Sequence, residues 1–149
     1  DNIQTFLMTN IIPQAPENNQ GVWVQLEKYS RELVRSGKEL FIISGGHGQG
    51  GIGSKGLKST LGQGKVVVPA ITWKVILVLD KPNAGVAGVN KSTRTIAVII
   101  PNKQGVKFDP WQQYRTSVKE VEKLTGYKFF TSVPADIRAV INAKIDEIP

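Results

Sequence analysis

Four chemically distinct side chains recur at intervals of four residues within the segment NIIPQAPENNQGVWVQLEKYSR, residues 10–31. They are Asn19, Trp23, Glu27 and Arg31. Since an α-helix turns by about 100° per residue, this spacing places each member on the same side of a helix as the one before it. An adjacent apolar stripe is formed by Val22, Leu26, Tyr29 and Leu33. The pattern therefore predicts a ladder of polar groups at the edge of a buried helix face.

Two kinds of chemistry fit this ladder. Glu27 and Arg31 form an i,i+4 pair in the order that stabilises a solvent-exposed helix, which is the simpler interpretation of the spacing. The other interpretation is a metal and phosphate site. An amide oxygen, a carboxylate and a guanidinium on one side of a helix can bind a hydrated hard cation and a phosphodiester. Spacing alone leaves both interpretations open.

The segment NIIPQAPENNQGVWVQLEKYSRELV resembles the metal-binding helix of the DNA/RNA non-specific endonucleases, which are ββα-metal nucleases with a His-Me finger. VPAITWKVILVL, TIAVIIPN and WQQYRTSVKEVEKLTGYKFF resemble later blocks of that family, in the same order. The resemblance implies that residues 1–149 form a single domain, the larger C-terminal part of an endonuclease domain. It also implies an α+β fold, with a central and mainly antiparallel sheet flanked by helices and with the N-terminal portion missing.

The same resemblance implies roles for individual residues. Asn19 corresponds to the protein ligand of the metal, Glu27 to the residue that holds metal-bound water, and Arg31 to a phosphate contact. The implied substrate-binding residues are Asn10, Gln14 and Trp23. The expected cofactor is Mg²⁺ or Mn²⁺, and the expected reaction is hydrolysis of phosphodiester bonds in DNA and RNA without base or sugar specificity. A proteinaceous nuclease inhibitor is a further expected partner.

One departure from the family concerns the general base, a histidine in an Asp-Arg-Gly-His motif upstream of the position that Asn10 occupies. This motif does not occur in the sequence. We therefore expect catalysis to require an upstream segment that carries the histidine. The alternative is a non-catalytic nucleic-acid-binding relative or an inactive fragment. His47, the one histidine of the chain, is a conceivable substitute base, but a histidine between glycines is more typical of a solvated loop.

Composition is that of a globular protein with a basic surface. The net charge of +7 and the pI near 9.7 favour a polyanionic partner such as nucleic acid. The absence of cysteine excludes disulfides and thiolate metal sites, and it is compatible with the secreted or periplasmic location that we expect. No apolar run approaches the ~20 residues of a membrane-spanning helix, so no membrane association is expected.

The remaining pattern predicts strands and helices in mixed order. We expect a strand over residues 5–12, a helix over 18–36, and a buried strand over 39–44. A glycine-rich loop over 45–64 follows, in which Gly46, Gly48 and Gly51 match G-x-G-x-x-G but precede no helix, so a dinucleotide site is not expected. Strands are predicted over 65–68, 71–80 and 94–100, the last two antiparallel. Helices are predicted over 117–125, opened by Ser117 and Glu120 as a capping box, and over 134–145.

Overall fold

One long helix precedes the strands and two shorter helices follow them in the computed structural model, which describes Leu7 and residues 10–148. A π-helical turn, Asn18–Trp23, continues into helix α1, Val24–Arg35; the later helices are α2, Val118–Thr125, and α3, Ala135–Ala143. The strands are β1 (Glu39–His47), β2 (Gly51–Gly53), β3 (Gly56–Lys58), β4 (Thr60–Leu61), β5 (Val66–Val67), β6 (Ile71–Leu79), β7 (Arg94–Pro101) and β8 (Arg115–Thr116). The predicted α+β class is confirmed.

The main sheet has the order β1-β6-β7-β8, and every neighbouring pair is antiparallel. Eight of the nine residues of β6 are buried, which confirms the prediction of a central strand covered on both faces. The pairing of β6 with β7 through a short connection is also confirmed. The segment predicted as one glycine-rich loop, residues 45–64, instead carries the end of β1 and the strands β2, β3 and β4. β2 pairs with β3, and β4 pairs with β5, which lies within the strand predicted over 65–68.

The alternation of side chains along β6 and β7 builds one core on each face of the sheet. The π-helical turn and α1 cover the first face, where the buried residues are Val22, Trp23, Leu26, Ile76, Val78, Ile96, Val98, Ile100, Val106 and Trp111. Helices α2 and α3 cover the second face, where the buried residues include Trp73, Val75, Leu77, Leu79, Ala97, Val118, Val121 and Ile141. The sheet therefore holds α1 in a fixed position above β6.

Helix α1 ends where the sequence predicts, at Gly37 with a positive φ of 89°, but its beginning differs from an ordinary α-helix. The turn that precedes it is π-helical, so it is wider than an α-helical turn. Gly21 lies at a close approach within this turn. A Cβ atom there would lie 2.5 Å from Cα and 2.6 Å from the carbonyl oxygen of Lys107. A glycine is therefore required where the wide turn touches the backbone that follows β7.

The prediction that β1 is a buried strand is wrong. Phe41, Ile42 and Ile43 are 45%, 46% and 42% exposed. In the described residues β1 pairs only with β6 and forms an edge of the main sheet, so its outer edge and parts of both faces are uncovered. An apolar run shows that a strand is suited to burial, whereas what covers it is decided by other parts of the protein.

The predicted N-terminal strand and the two later helices have different outcomes. Half of the strand predicted over residues 5–12 lies outside the described residues, and the other half, Leu7 and residues 10–12, is not in a strand. At α2 the Ser117 hydroxyl accepts a hydrogen bond from the Glu120 amide at 3.2 Å, which confirms the predicted N-cap. Helix α3 ends at Ala143, two residues before the predicted end.

The segment after α3 is fixed to the sheet by a buried ion pair. Arg94 of β7 donates from Nε and Nη2 to the two carboxylate oxygens of Asp146, at 2.7 and 2.8 Å, and Nη2 also donates to the Tyr29 hydroxyl of α1. One guanidinium thus connects the C-terminal segment, β7 and α1. No helix among the described residues is both long enough and apolar enough to cross a membrane.

Candidate active site

An open groove of about 740 Å³ lies beside α1 on the first face of the sheet. Helix α1 and the last residue of the π-helical turn form one wall, β1 and β6 form the floor, and the segment before the helix closes one end. The residues that line it are Asn10, Ile12, Gln14, Trp23, Glu27, Ser30, Arg31, Val34, Arg35, Leu40, Ile42, Ser44 and Lys74. The groove is therefore built from segments distant in sequence and brought together by the sheet.

The predicted ladder contributes three side chains to this groove. Trp23 is largely buried against the core, whereas Glu27 and Arg31 are partly exposed, as expected at the edge of a buried helix face. Arg31 Nη1 lies 4.0 Å from Glu27 Oε2, which is too long for a hydrogen bond. An exposed pair at this distance contributes only about a few tenths of a kcal/mol to stability. Both side chains therefore keep most of their capacity to bind a ligand.

Asn19, the first member of the ladder, does not line the groove. It is exposed in the π-helical turn. Its neighbour Asn18 is fully buried, and its Nδ2 donates to Thr72 Oγ1 and to the carbonyl oxygen of Pro101, both at 3.1 Å. Asn18 thus fixes the helix to the ends of β6 and β7, and Asn19 lies next to this anchor. The part of the site prediction that names Asn19 as metal ligand stays a prediction.

The other two predicted substrate-binding residues, Asn10 and Gln14, do line the groove. Their segment is held by Asn102 at the end of β7. The Asn102 side chain accepts a hydrogen bond from the Ala15 amide at 2.6 Å and donates to the carbonyl oxygens of Pro13 and Pro69 at 3.1 and 2.8 Å. This buried amide therefore sets the position of one end of the groove.

Lys74 is the groove residue that sequence reasoning missed. It lies on β6 opposite Ser44 of β1, and its side chain is only 5% exposed. Its ammonium lies 4.0 Å from Glu27 Oε1 and 4.0 Å from the centroid of the Trp23 ring. Burial lowers the pKa of Lys74 to about 8; the Glu27 carboxylate opposes this shift and the Arg31 guanidinium adds to it. The sequence does contain a sign of it, the single lysine in the apolar run WKVILVL. A lysine is rarely buried without a partner, so its place in a strand covered on both faces indicates a specific contact.

His47 does not contribute to the groove. It ends β1 and follows the same alternation as Ile43 and Gly45, whose partners Val75 and Trp73 belong to the core on the second face of the sheet. The groove lies on the first face. The structure therefore gives no support to His47 as a substitute base. Gly46 lies in β1 and Gly51 in β2, with no helix after them, so the G-x-G-x-x-G match has no dinucleotide-binding context.

The oxygen donors of the groove fit a hard divalent cation. Gln14 Oε1 is buried and has no hydrogen-bond partner among the described residues, and the Glu27 carboxylate lies on the α1 wall of the same groove. In the same part of the chain, no three His, Cys, Asp or Glu side chains cluster as a metal cage. Few protein ligands, all of them oxygen, suit Mg²⁺ or Mn²⁺ that retains most of its water.

Known proteins that are similar to this chain are nucleases. The family model described as DNA/RNA non-specific endonuclease matches residues 1–136. A nuclease from Nostoc sp. is 49% identical over 146 residues, which cover 98% of this chain and 50% of that protein. The human mitochondrial nuclease EXOG is 30% identical over 147 residues, covering 92% of this chain and 38% of that protein.

The chain thus spans about half the length of the Nostoc nuclease and 38% of the length of human EXOG. A solved structure of the EndoG/EndoGI complex matches with a TM-score of 0.70 at 21% identity, covering 95% of this chain and 57% of that one. That likeness shows a shared fold. The family match extends over the π-helical turn, α1, the whole main sheet and α2, which are the elements that build and support the groove. This chain belongs to the DNA/RNA non-specific endonuclease family.

Proposed function

We propose that the intact protein is a divalent-metal-dependent endonuclease that hydrolyses phosphodiester bonds in DNA and RNA without base or sugar specificity. The observation that carries the proposal is the presence of Glu27 and Arg31 together on one wall of a groove, in a chain that belongs to this nuclease family. The exposed pair is not needed for the stability of the helix. This favours a role in ligand binding over the simpler interpretation of the spacing.

The residues of the groove have separate tasks in this proposal. Arg31 donates charge-assisted hydrogen bonds to the phosphate oxygens and holds the scissile group against the wall of α1. Glu27 accepts hydrogen bonds from ordered water and orients it. Asn19 would hold the Mg²⁺ or Mn²⁺ ion, with Glu27 acting on its waters. When bound, such an ion supplies charge stabilisation to the phosphate and the leaving oxygen.

The general base is proposed to come from a segment that precedes these 149 residues in the intact protein. The Asp-Arg-Gly-His motif is absent here, and His47 lies on the other face of the sheet. The chain spans about half of its relatives, which is compatible with a base located elsewhere. The solved structure with the similar fold is the EndoG/EndoGI complex, in which EndoG is inhibited. A proteinaceous inhibitor is therefore a proposed partner as well.

The test compares two glutamates of α1 in the intact protein. Glu27→Gln removes a carboxylate that lines the groove, whereas Glu32→Gln makes the same change on the exposed surface outside it. We expect Glu27→Gln and Arg31→Ala each to lower Mg²⁺-dependent cleavage of plasmid DNA and of RNA by roughly 10²-fold or more, because each removes a group that acts on transition-state charge. We expect Glu32→Gln to stay within about twofold of wild type.

Chelation and Asn19→Ala complete the test. EDTA should abolish cleavage and Mg²⁺ or Mn²⁺ should restore it, and Asn19→Ala should shift the metal concentration needed for half-maximal rate upward. Unchanged circular dichroism would show that the variants fold. Near-normal cleavage by Glu27→Gln would contradict the assignment of the groove. Binding of nucleic acid without any metal-dependent cleavage by the wild type would favour the non-catalytic alternative.

A further inference from the structure

The largely buried lysine Lys74 lies at the floor of the groove. Lys74 is the only charged residue of β6 and its side chain is 95% buried, with the ammonium over the face of the Trp23 ring. Its register partner Ser44 also lines the groove. An apolar residue at this position would continue the first-face core of β6, which Ile76 and Val78 form further along the strand.

The ammonium of Lys74 has three N–H donors and makes no hydrogen bond within the described residues. Its nearest charged partner, Glu27 Oε1, is 4.0 Å away, and its other close contact is the face of the Trp23 ring. The Lys74 side chain is largely buried, but Nζ is not one of the fully enclosed polar atoms of the described residues, so the ammonium is open to the groove. Because Lys74 lines the groove, an acceptor that enters the groove can reach donors that the protein itself leaves unsatisfied.

The charges around the groove select the kind of acceptor. Arg31, Arg35 and Lys74 line it together with Glu27, so the groove carries an excess of positive charge. A group that adds negative charge and several oxygen acceptors satisfies both the charge and the free donors of Lys74. The Lys74 side chain is only 5% exposed, so an anion bound at its ammonium would be screened by less water than at a surface lysine. A phosphodiester of nucleic acid has this chemistry.

We propose that Lys74 is a substrate-binding residue that donates hydrogen bonds to a phosphate of the nucleic acid in the groove, across from Arg31. The proposal rests on the proposed function for the identity of the substrate. It assigns to β6 a direct part in substrate binding, in addition to its place in the core. The competing role is positional, in which Lys74 acts only by holding Glu27 in place.

The test measures binding of fluorescent single-stranded DNA to the intact protein in EDTA, where no cleavage occurs. Lys74→Met removes the ammonium and keeps an unbranched side chain of similar length. Lys119→Met is the matched control, since it removes one positive charge from exposed α2 on the second face of the sheet. We expect Lys74→Met to weaken DNA binding about 10-fold or more. The slope of log K against log salt should become shallower by the contribution of about one phosphate contact. The melting temperature should be no lower than that of wild type. We expect Lys119→Met to change binding less than about twofold.

The same substitution made in the Glu27→Gln protein separates the direct role of Lys74 from the positional one. If Lys74 contacts phosphate, Lys74→Met still weakens binding in the Glu27→Gln protein, although the size of the effect can differ from that in wild type because Lys74 and Glu27 are neighbours. If it acts only through Glu27, the effect disappears in that background, and the proposal is overturned. Equal binding by Lys74→Met and Lys119→Met would also overturn it, whatever the cleavage assay shows. Conversely, a wild type that binds DNA through Lys74 but cleaves nothing would reject the proposed function and leave the assignment of Lys74 standing.

Discussion

At the scale of single residues, Lys74 makes the stability of the protein depend on pH. Burial lowers its pKa from 10.5 to about 8, although Glu27 opposes the shift. Between pH 8 and 10.5 the unfolded chain therefore binds more protons at this residue than the folded protein does, so the free energy of unfolding rises with pH across that window. Below pH 8 both states carry the proton, and the buried ammonium lowers stability by up to about 3 kcal/mol.

We expect Lys74→Met to raise the free energy of unfolding at pH 7 by up to about 3 kcal/mol and the gain to shrink toward zero between pH 8 and 10.5. Guanidinium unfolding of the variant and of wild type between pH 7 and 10.5 measures the difference in their free energies of unfolding. The titration of the other lysines is common to both proteins and cancels in this difference. Lys119→Met should show no such gain, because Lys119 is exposed. A gain that increased with pH would contradict the assignment.

Residue chemistry in the groove was only partly predictable from the sequence. Glu27 and Arg31 lie together on one wall because helical spacing of four residues is enough to bring them there. Lys74 was missed because its partners, Trp23 and Glu27, are about 50 residues away in sequence and meet it only through the packing of α1 on β6. Asn19 lies outside the groove lining because the turn that carries it is π-helical, and i,i+4 spacing in an α-helix does not describe that turn.

At the scale of elements, strong local signals predicted the structure well. The stop of α1 at Gly37 and the N-cap of α2 at Ser117 depend on a few neighbouring residues, and both are confirmed. The buried central strand follows from its continuous apolar run. The exposure of β1 and the short strands within the glycine-rich segment depend instead on what lies beside them in space, which short-range patterns do not encode.

The π-helical turn supplies a prediction in which two effects have opposite signs. In an isolated helix, replacing glycine by alanine is stabilising by about 0.5 to 1 kcal/mol. At Gly21 the added Cβ would lie 2.5 Å from the backbone of Lys107, which cannot move aside as a flexible side chain would. We therefore expect Gly21→Ala to lower the free energy of unfolding by about 1 to 3 kcal/mol. It should also reduce cleavage, because Trp23 lies two residues further along.

Thermal or guanidinium unfolding of Gly21→Ala checks this expectation, with Gln20→Ala as the control in the same turn. Gln20 is exposed, so its substitution should change stability by less than about 0.5 kcal/mol. A stabilised Gly21→Ala protein would show that the contact with Lys107 is not tight in solution and that the helical propensity of alanine prevails.

At the scale of the whole molecule, the net charge of +7 gives the proposed binding of nucleic acid an expected salt dependence. A basic protein that contacts phosphates releases the counterions condensed on them, so its affinity falls as salt rises. We expect binding to be insensitive to base sequence and log K to fall linearly with log salt, with a slope near −0.7 per contacted phosphate on single strands and about −0.9 on duplex DNA. Titrations at several salt concentrations, on DNA and RNA of unrelated sequences, measure this. A flat salt dependence, or strong preference for one sequence, would contradict it.

The hydrogen bonds of Asn102 also bear on how the groove forms during folding. They join residues 87 and 89 positions apart at Ala15 and Pro13, but only 33 apart at Pro69. Closing the longer loops carries the larger entropic cost, and it gains these bonds only after the end of β7 is in place. The pairing of β1, β6 and β7 does not involve Pro13 or Ala15. We therefore expect the end of the groove that carries Asn10 and Gln14 to open and close as a cooperative unit of its own while α1 stays folded on the sheet.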